Sequence, residues 1–112
     1  MGTTKSFHFT DKHNSISKYA KALAHPARIA ILQLLTKKQT CFCGDIVDEI
    51  PLSQSTVSQH LKELKEAGLI KGEIDGARVC YCIDTKELKM AQARIGQFLD
   101  RLNACTDCGD QC

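Results

Sequence analysis

The stretch LSQSTVSQHLKELKEAGLI, Leu52 to Ile70, decides the fold, because it reads as the second helix of a helix-turn-helix. Ser53 is a natural N-cap, since its hydroxyl can accept an orphan backbone N–H from the first turn. Val57, Leu61 and Leu64 recur at i, i+4 and i+7, so one face packs on a core. Gly68 supplies the left-handed stop at the C-terminal end. The opposite face carries Ser55, Gln59 and Lys62, flanked by Gln54, Thr56 and Ser58. Short hydroxyl and amide side chains can enter a major groove and read base edges, while lysine meets phosphate. His60 flanks the same face and is expected either to join it or to pack inward. An ordinary amphipathic helix with a solvated face gives the same pattern, so the function has to come from what surrounds it.

Directly downstream lies KGEIDGARVCYCI, Lys71 to Ile83. Asp75-Gly76 between two β-prone runs predicts a two-residue hairpin, whose favoured turn needs positive φ at both central positions. Arg78 on that hairpin is a further phosphate contact. Upstream, ALAHPARIAILQLL (Ala22–Leu35) places Pro26 in the first turn of a strongly apolar helix. The expected class is mainly α with a small β-hairpin wing, a winged helix-turn-helix. On ALAHPARIAILQLL, the Cys-x-Cys of CFCGDI, LSQSTVSQHLKELKEAGLI and the VCYCID strand, the chain resembles the arsenic-repressor (ArsR/SmtB) family. These are metal- and metalloid-sensing transcriptional repressors. The resemblance covers roughly Ser15 to Ile83 and the terminal helix.

At 112 residues the chain is one domain, small for an isolated monomer. We expect an arm over residues 1–14, a folded core over 15–104 and a cysteine-rich tail over 105–112. No apolar run approaches the roughly 20 residues a membrane span needs. The opening MGTTKSFHFT lacks the apolar core of a signal peptide, which predicts a cytoplasmic protein. Charge is unevenly placed: residues 1–72 hold ten Lys and Arg against six Asp and Glu, whereas residues 73–112 hold five against seven. The positive half coincides with the helix-turn-helix, where a phosphate-facing surface is wanted.

Ser15 to Ala24 reads as a first helix, with Ile16, Tyr19 and Leu23 on one stripe. In the helix that Pro26 starts, Ile29, Ile31, Leu32, Leu34 and Leu35 are expected to be largely buried. Gly44 to Ile50 reads as a short helix ended by Pro51. Asp84-Thr85 caps a long final helix, where Leu88, Ala91, Ile95, Phe98 and Leu102 repeat at spacings of 3 and 4. That stripe, joined by Ile16, Tyr19 and Leu23, is the expected seam of a homodimer.

Seven cysteines form three clusters: Cys41/Cys43, Cys80/Cys82 and Cys105/Cys108/Cys112. An odd count without an export signal argues against a secreted disulfide scaffold and for metal binding or redox sensing. Two thiols at i, i+2 can chelate one ion, and thiolates suit soft ions: As(III), Sb(III), Cd, Pb, Zn or Cu(I). The resemblance implies that Cys41 and Cys43 supply two ligands. Metalloid-responsive family members often add a third thiol shortly after, but here Gly44 intervenes and Ile46 stands where it would be sought. The tail is the expected source of the third sulfur, through Cys105, Cys108 or Cys112. Cys80 and Cys82 share one face of a strand whose apolar set, Val79, Tyr81 and Ile83, faces the core, and they are expected to tolerate serine. The family's zinc and nickel sensors use His and carboxylate pairs on the last helix, which here has no His.

The sequence therefore predicts a homodimeric repressor that binds a palindromic operator and leaves it when As(III), or Sb(III), Cd or Zn, engages cysteine thiolates. The alternative is a thiol redox or persulfide switch on the same fold. An enzyme is disfavoured, with no Cys–His dyad in register, no phosphate loop and no carboxylate pair in a motif.

Overall fold

The computed structural model describes residues 8–38, 42–44, 50–75 and 78–105, with the side chains of 38, 42–44, 73–75, 78 and 79 left aside. Helix α1 (Asp11–Ala22) begins four residues before the expected Ser15, inside the segment assigned to an arm. Thr10 is its N-cap: the hydroxyl accepts from His13 N–H at 3.2 Å and His13 Nδ1 accepts from Thr10 N–H at 3.2 Å. This is a reciprocal capping box with histidine in the place usually taken by Glu or Gln, and the unusual residue hid it. Helix α2 (Pro26–Lys38) starts where Pro26 predicts. His25 caps it, Nδ1 accepting from Ala27 N–H at 3.0 Å.

Three antiparallel strands follow, β1 (Phe42–Gly44), β2 (Ile70–Asp75) and β3 (Arg78–Ile83), in the spatial order β1-β3-β2. The hairpin of β2 and β3 was expected; the third strand was not. Asp75 pairs with Arg78 and so belongs to β2, while residues 76 and 77 of the anticipated turn region lie outside the described residues. Gly44 belongs to β1, and residues 45–49 of the expected short helix lie outside the described residues. Gly72, at φ +154°, sits opposite Tyr81, and a Cβ there would lie 2.0 Å from the Cys80 carbonyl oxygen. Only glycine lets β2 approach β3 this closely.

Helix α3 (Gln54–Glu66) lies between α2 and β2, and α4 (Thr85–Asn103) closes the structure against α1. One core gathers Tyr19, Ile31, Leu35, Leu64, Leu69 and Ile70, each no more than 2% exposed. Full burial of each such aliphatic side chain contributes roughly 1.5–3 kcal/mol. Ile29 departs from expectation at 41% exposed, because α2 is apolar on more faces than the core can cover. With Leu32, Ile83 and Leu88 it lines an open apolar groove of about 430 Å³.

The terminal helix is held from both sides. Asp84 Oδ1 accepts from Glu87 N–H at 3.1 Å as the N-cap, and Asp84 N–H donates to Leu69 O at 2.9 Å. Tyr19 donates its hydroxyl to Glu87 Oε2, which also meets Lys18 Nζ at 3.5 Å. Burial, and then the Glu87 bond, pushes the Tyr19 phenol up to about 12. The expected dimer stripe is therefore corrected. Tyr19 (0% exposed) and Ala91 (4%) are consumed by the contact between α1 and α4 within one chain. Leu23 and Ile95 are half-buried against the same core, and Ile16 is half-buried on α1. Leu88, Phe98 and Leu102 stay 40%, 45% and 57% exposed, and Leu99, on the same stripe but not anticipated, 49%.

Candidate nucleic-acid interface and thiol sites

Helix α3 is set up by its own ends. Ser53 is the N-cap, its hydroxyl accepting from Thr56 N–H at 3.4 Å. The same Oγ lies 2.8 Å from Thr56 Oγ1 and 3.3 Å from Ser55 Oγ, so three hydroxyls cluster at the first turn. At the other end Gly68 takes φ +85°, Gly68 N–H donates to Lys65 O at 2.9 Å and Leu69 N–H to Leu64 O at 3.1 Å. That paired closure is a Schellman motif, and it stops the helix where the sequence predicted.

Between these ends Val57, His60, Leu61 and Leu64 are buried, while Gln54, Ser55, Thr56, Ser58, Gln59 and Lys62 are exposed. Ser55, Ser58, Gln59 and Lys62 line, with Lys65 and Tyr81, an open groove of about 470 Å³ between the helix and the wing strand. Lys65, one turn beyond Lys62, extends the basic edge and was missed, although the i, i+3 spacing carried the signal. Arg78 lies in β3, its side chain outside the described residues.

His60 is not on that exposed face: it is 7% exposed and turned inward. Its Nδ1 accepts from Arg28 Nε at 3.1 Å, and its ring centroid stands 4.3 Å from that of His25. Arg28 also donates from Nη1 to the carbonyls of Lys21 (2.9 Å) and Ala22 (3.4 Å), closing the end of α1. One guanidinium thus ties α1 to the recognition helix, a link that no local pattern announces. Burial, then the nearby His25 and Arg28, push the His60 pKa down from its ordinary value. The sign follows from linkage. A histidine held neutral by the fold contributes its full share above the unfolded pKa of about 6.5 and loses it as pH falls below that value. Urea midpoints measured from pH 7.5 to 5 should fall more steeply for the wild type than for His60→Gln, whose amide oxygen can still accept from Arg28. Parallel pH curves would show that His60 does not titrate with folding.

The cysteines divide by element. Cys43 is in β1, its Cα partner across the sheet is Cys80, and Phe42 pairs with Tyr81. Cys80 and Cys82 are half-buried on β3, and both are disulfide-bonded. That bonded state was not anticipated from the sequence. Cys105 is exposed just past the end of α4, its N–H donating to Leu102 O at 3.2 Å. Cys41, Cys108 and Cys112, and the side chain of Cys43, lie outside the described residues. Among the described residues no group of three or more His, Cys, Asp or Glu side chains is arranged to hold a metal ion, and no helix is long and apolar enough to cross a membrane.

Comparison with known proteins follows the same architecture. A family model described as a helix-turn-helix domain matches residues 23–73. The arsenical resistance operon repressor of Staphylococcus xylosus is 31% identical over 100 residues, covering 89% of this chain and 90% of that protein. The HTH-type transcriptional repressor SmtB of Mycobacterium tuberculosis is 48% identical over 61 residues, 54% of this chain. The match spans 44% of that repressor's length. An ArsR-like transcriptional regulator from a Rhodococcus species superposes with a TM-score of 0.63 at 22% identity, over 92% of this chain and 100% of that one, a likeness of fold. These relatives are named transcriptional regulators and repressors, not enzymes. With the capped recognition helix, the wing and this span of similarity, the chain belongs to the ArsR/SmtB family of winged helix-turn-helix transcriptional regulators.

Proposed function

We propose that the protein is a homodimeric, metal- or metalloid-responsive repressor that leaves its operator when a thiophilic ion binds cysteine thiolates. As(III) is the favoured inducer, with Sb(III), Cd and Zn as the other ions such thiols would take. The observation that carries the DNA side is the exposed polar face of α3, with Ser58, Gln59, Lys62 and Lys65 lining one groove beside the wing strand. Gln54, Ser55, Thr56, Ser58 and Gln59 would read or brace base edges, and Lys62 and Arg78 would meet phosphates. Cys41 and Cys43 would hold the ion, with the tail thiols Cys105, Cys108 and Cys112 as further candidates. Support for the inducer comes from similarity to the arsenical resistance operon repressor, to a 34%-identical structure described as a possible transcriptional regulator for arsenical resistance, and to the cadmium metal-sensor CmtR of Mycobacterium tuberculosis.

Two single variants test the reading face. Gln59→Ala should lose discrimination between the operator and unrelated DNA by roughly 1–3 kcal/mol, the worth of a base contact. Lys62→Ala should weaken binding to both sequences alike and lower the slope of log affinity against log salt by about 1. Fluorescence anisotropy across a salt series reads both, and wild-type specificity in Gln59→Ala would remove that residue from base readout.

The disulfide-bonded state of Cys80 and Cys82 favours one second reading, a thiol redox or persulfide switch. A single titration separates the two. DNA from upstream of the protein's own gene is bound by the reduced protein, then challenged in parallel with arsenite, antimonite, Cd and Zn in a phosphine reductant, and with peroxide after the reductant has been removed. Release by arsenite under strong reductant supports ion sensing. Release by peroxide alone, reversed by reductant, supports the redox switch.

A further inference from the structure

The recognition helix is tied to the rest of the fold by a hydrogen bond that only an unprotonated nitrogen can accept. His60 stands in the middle of α3, and its Nδ1 takes the Arg28 Nε–H at 3.1 Å. A neutral imidazole with Nδ1 as acceptor carries its one proton on Nε2, so a second proton has to land on the atom Arg28 already holds. It would set donor against donor and cation against guanidinium, in a side chain that is buried. The groups around the ring come from three helices. His25, at the start of α2, has its ring centroid 4.3 Å away and its own Nδ1 engaged by Ala27 N–H. Lys18 and Lys21 of α1, Arg28 of α2, and Glu63 and Glu66 of α3 line an open cavity of about 240 Å³, which brings water up to the tie. Burial, then His25 and Arg28, outweigh the pull of Glu63 and hold the His60 pKa below its ordinary value. Arg28 has a second anchorage: Nη1 donates to Lys21 O at 2.9 Å and to Ala22 O at 3.4 Å. The guanidinium therefore stays on α1 when His60 lets go, and the break remains local.

We propose that the bond between Arg28 and His60 is an acid-labile latch that sets the recognition helix for its operator, and that a proton on His60 Nδ1 releases the protein from DNA. The proposal rests on the reading that α3 is the helix that meets DNA. Gln59 precedes His60 in the chain, and Ser58, Gln59 and Lys62 line the groove beside the wing strand. A charged imidazole regains its hydration by turning outward, and the turn of helix that carries those three residues moves with it. The proton is thus a second input, independent of the cysteine thiolates. Its sign follows from linkage. The operator-bound form holds His60 neutral, so binding is complete above the ordinary histidine value of about 6.5 and weakens as pH falls below it. One proton supplies at most about a tenfold loss between pH 7.5 and 5.5. General attraction to a polyanion runs the other way, because protonating exposed histidines adds positive charge and strengthens binding in acid. The direction of the effect therefore separates the latch from simple electrostatics.

The test uses the full chain, reduced with phosphine, without added metal ions and at constant ionic strength. Anisotropy of labelled DNA from upstream of the protein's own gene is followed from pH 7.5 to 5.5, beside unrelated DNA of the same length. Wild-type affinity for the upstream DNA should fall by up to about tenfold, while affinity for the unrelated DNA holds or rises. His60→Gln keeps an amide oxygen to accept from Arg28 and takes no proton, so it should bind like the wild type at pH 7.5 and lose the acid fall. His60→Asn serves as a second such variant if the first does not fold. Ring signals in nuclear magnetic resonance should place the His60 pKa lower in the DNA complex than in the free protein, a readout that needs no variant. Equal acid loss in wild type and variant, or one His60 pKa in both states, would overturn the latch and leave the DNA-binding reading standing. Loss of the helical circular dichroism together with the DNA would overturn it as well, since the proton would then act on the whole fold. A protein that does not prefer the upstream DNA at pH 7.5 fails the operator reading, and the latch with it.

Discussion

Replacing Phe98 or Leu102 with Glu is expected to give a folded monomer that binds operator about 10²–10⁴-fold more weakly than the wild type, the range lost when two linked contacts become one. The argument starts from which part of the terminal helix the protomer uses for itself. Ala91 is buried and Ile95 half-buried against the chain's own core, so a charge at either position would unfold the protomer and say nothing about assembly. Phe98 and Leu102 are 45% and 57% exposed, and Leu99 beside them 49%. Large apolar side chains grouped on the distal half of one helix are what a helix pair buries. A Glu placed there stays hydrated in the monomer but loses its water in the seam, and burying that charge costs more than the seam gains. Sedimentation should report a single chain for both variants, with circular dichroism unchanged. Half-sites about 34 Å apart on the operator, one helical turn of DNA, would then be engaged singly. An intact dimer in both variants would move the seam off this helix.

What the sequence made legible was local. The recognition helix was readable at both ends because a serine cap and a left-handed glycine act within a few residues of themselves, and both stand in the structure as read. The start of α1 was missed for an equally local reason, a histidine doing the work of the usual Glu or Gln in a capping box. The remaining differences are non-local. His60 sits beside the reading face by sequence, yet Arg28 and His25, from the start of another helix, draw it inward. Tyr19 and Ala91 fit a seam by spacing, but spacing does not say whether the facing helix belongs to the same chain. The three-residue strand at Phe42–Gly44 is too short to show a period, and its pairing with β3 joins residues 37 apart, from Cys43 to Cys80.

The largest effect should come from the Cys-x-Cys itself. Cys41→Ser with Cys43→Ser is expected to leave operator affinity at the wild-type value and to abolish release by arsenite at any concentration the wild type answers. Serine nearly keeps the volume of cysteine, so the strand should form as before. It exchanges a soft sulfur that deprotonates readily for a hard hydroxyl that stays protonated at neutral pH, and soft ions discriminate strongly between the two. With both changed, a trivalent centre loses the two sulfurs that would chelate it, and a hydroxyl pair cannot compete with water for those positions. Each single variant should retain at most a partial response, because one thiol of the pair remains. The graded order, double variant below either single and either single below wild type, distinguishes a shared site from two independent ones. Anisotropy of labelled operator against arsenite, with phosphine present throughout, measures all four proteins in one series. A double variant that releases DNA at the wild-type arsenite concentration would place the sensor in the tail, at Cys105, Cys108 and Cys112. The same series repeated on a variant with Cys105, Cys108 and Cys112 all changed to Ser would then lose the response that the Cys41 and Cys43 variants keep.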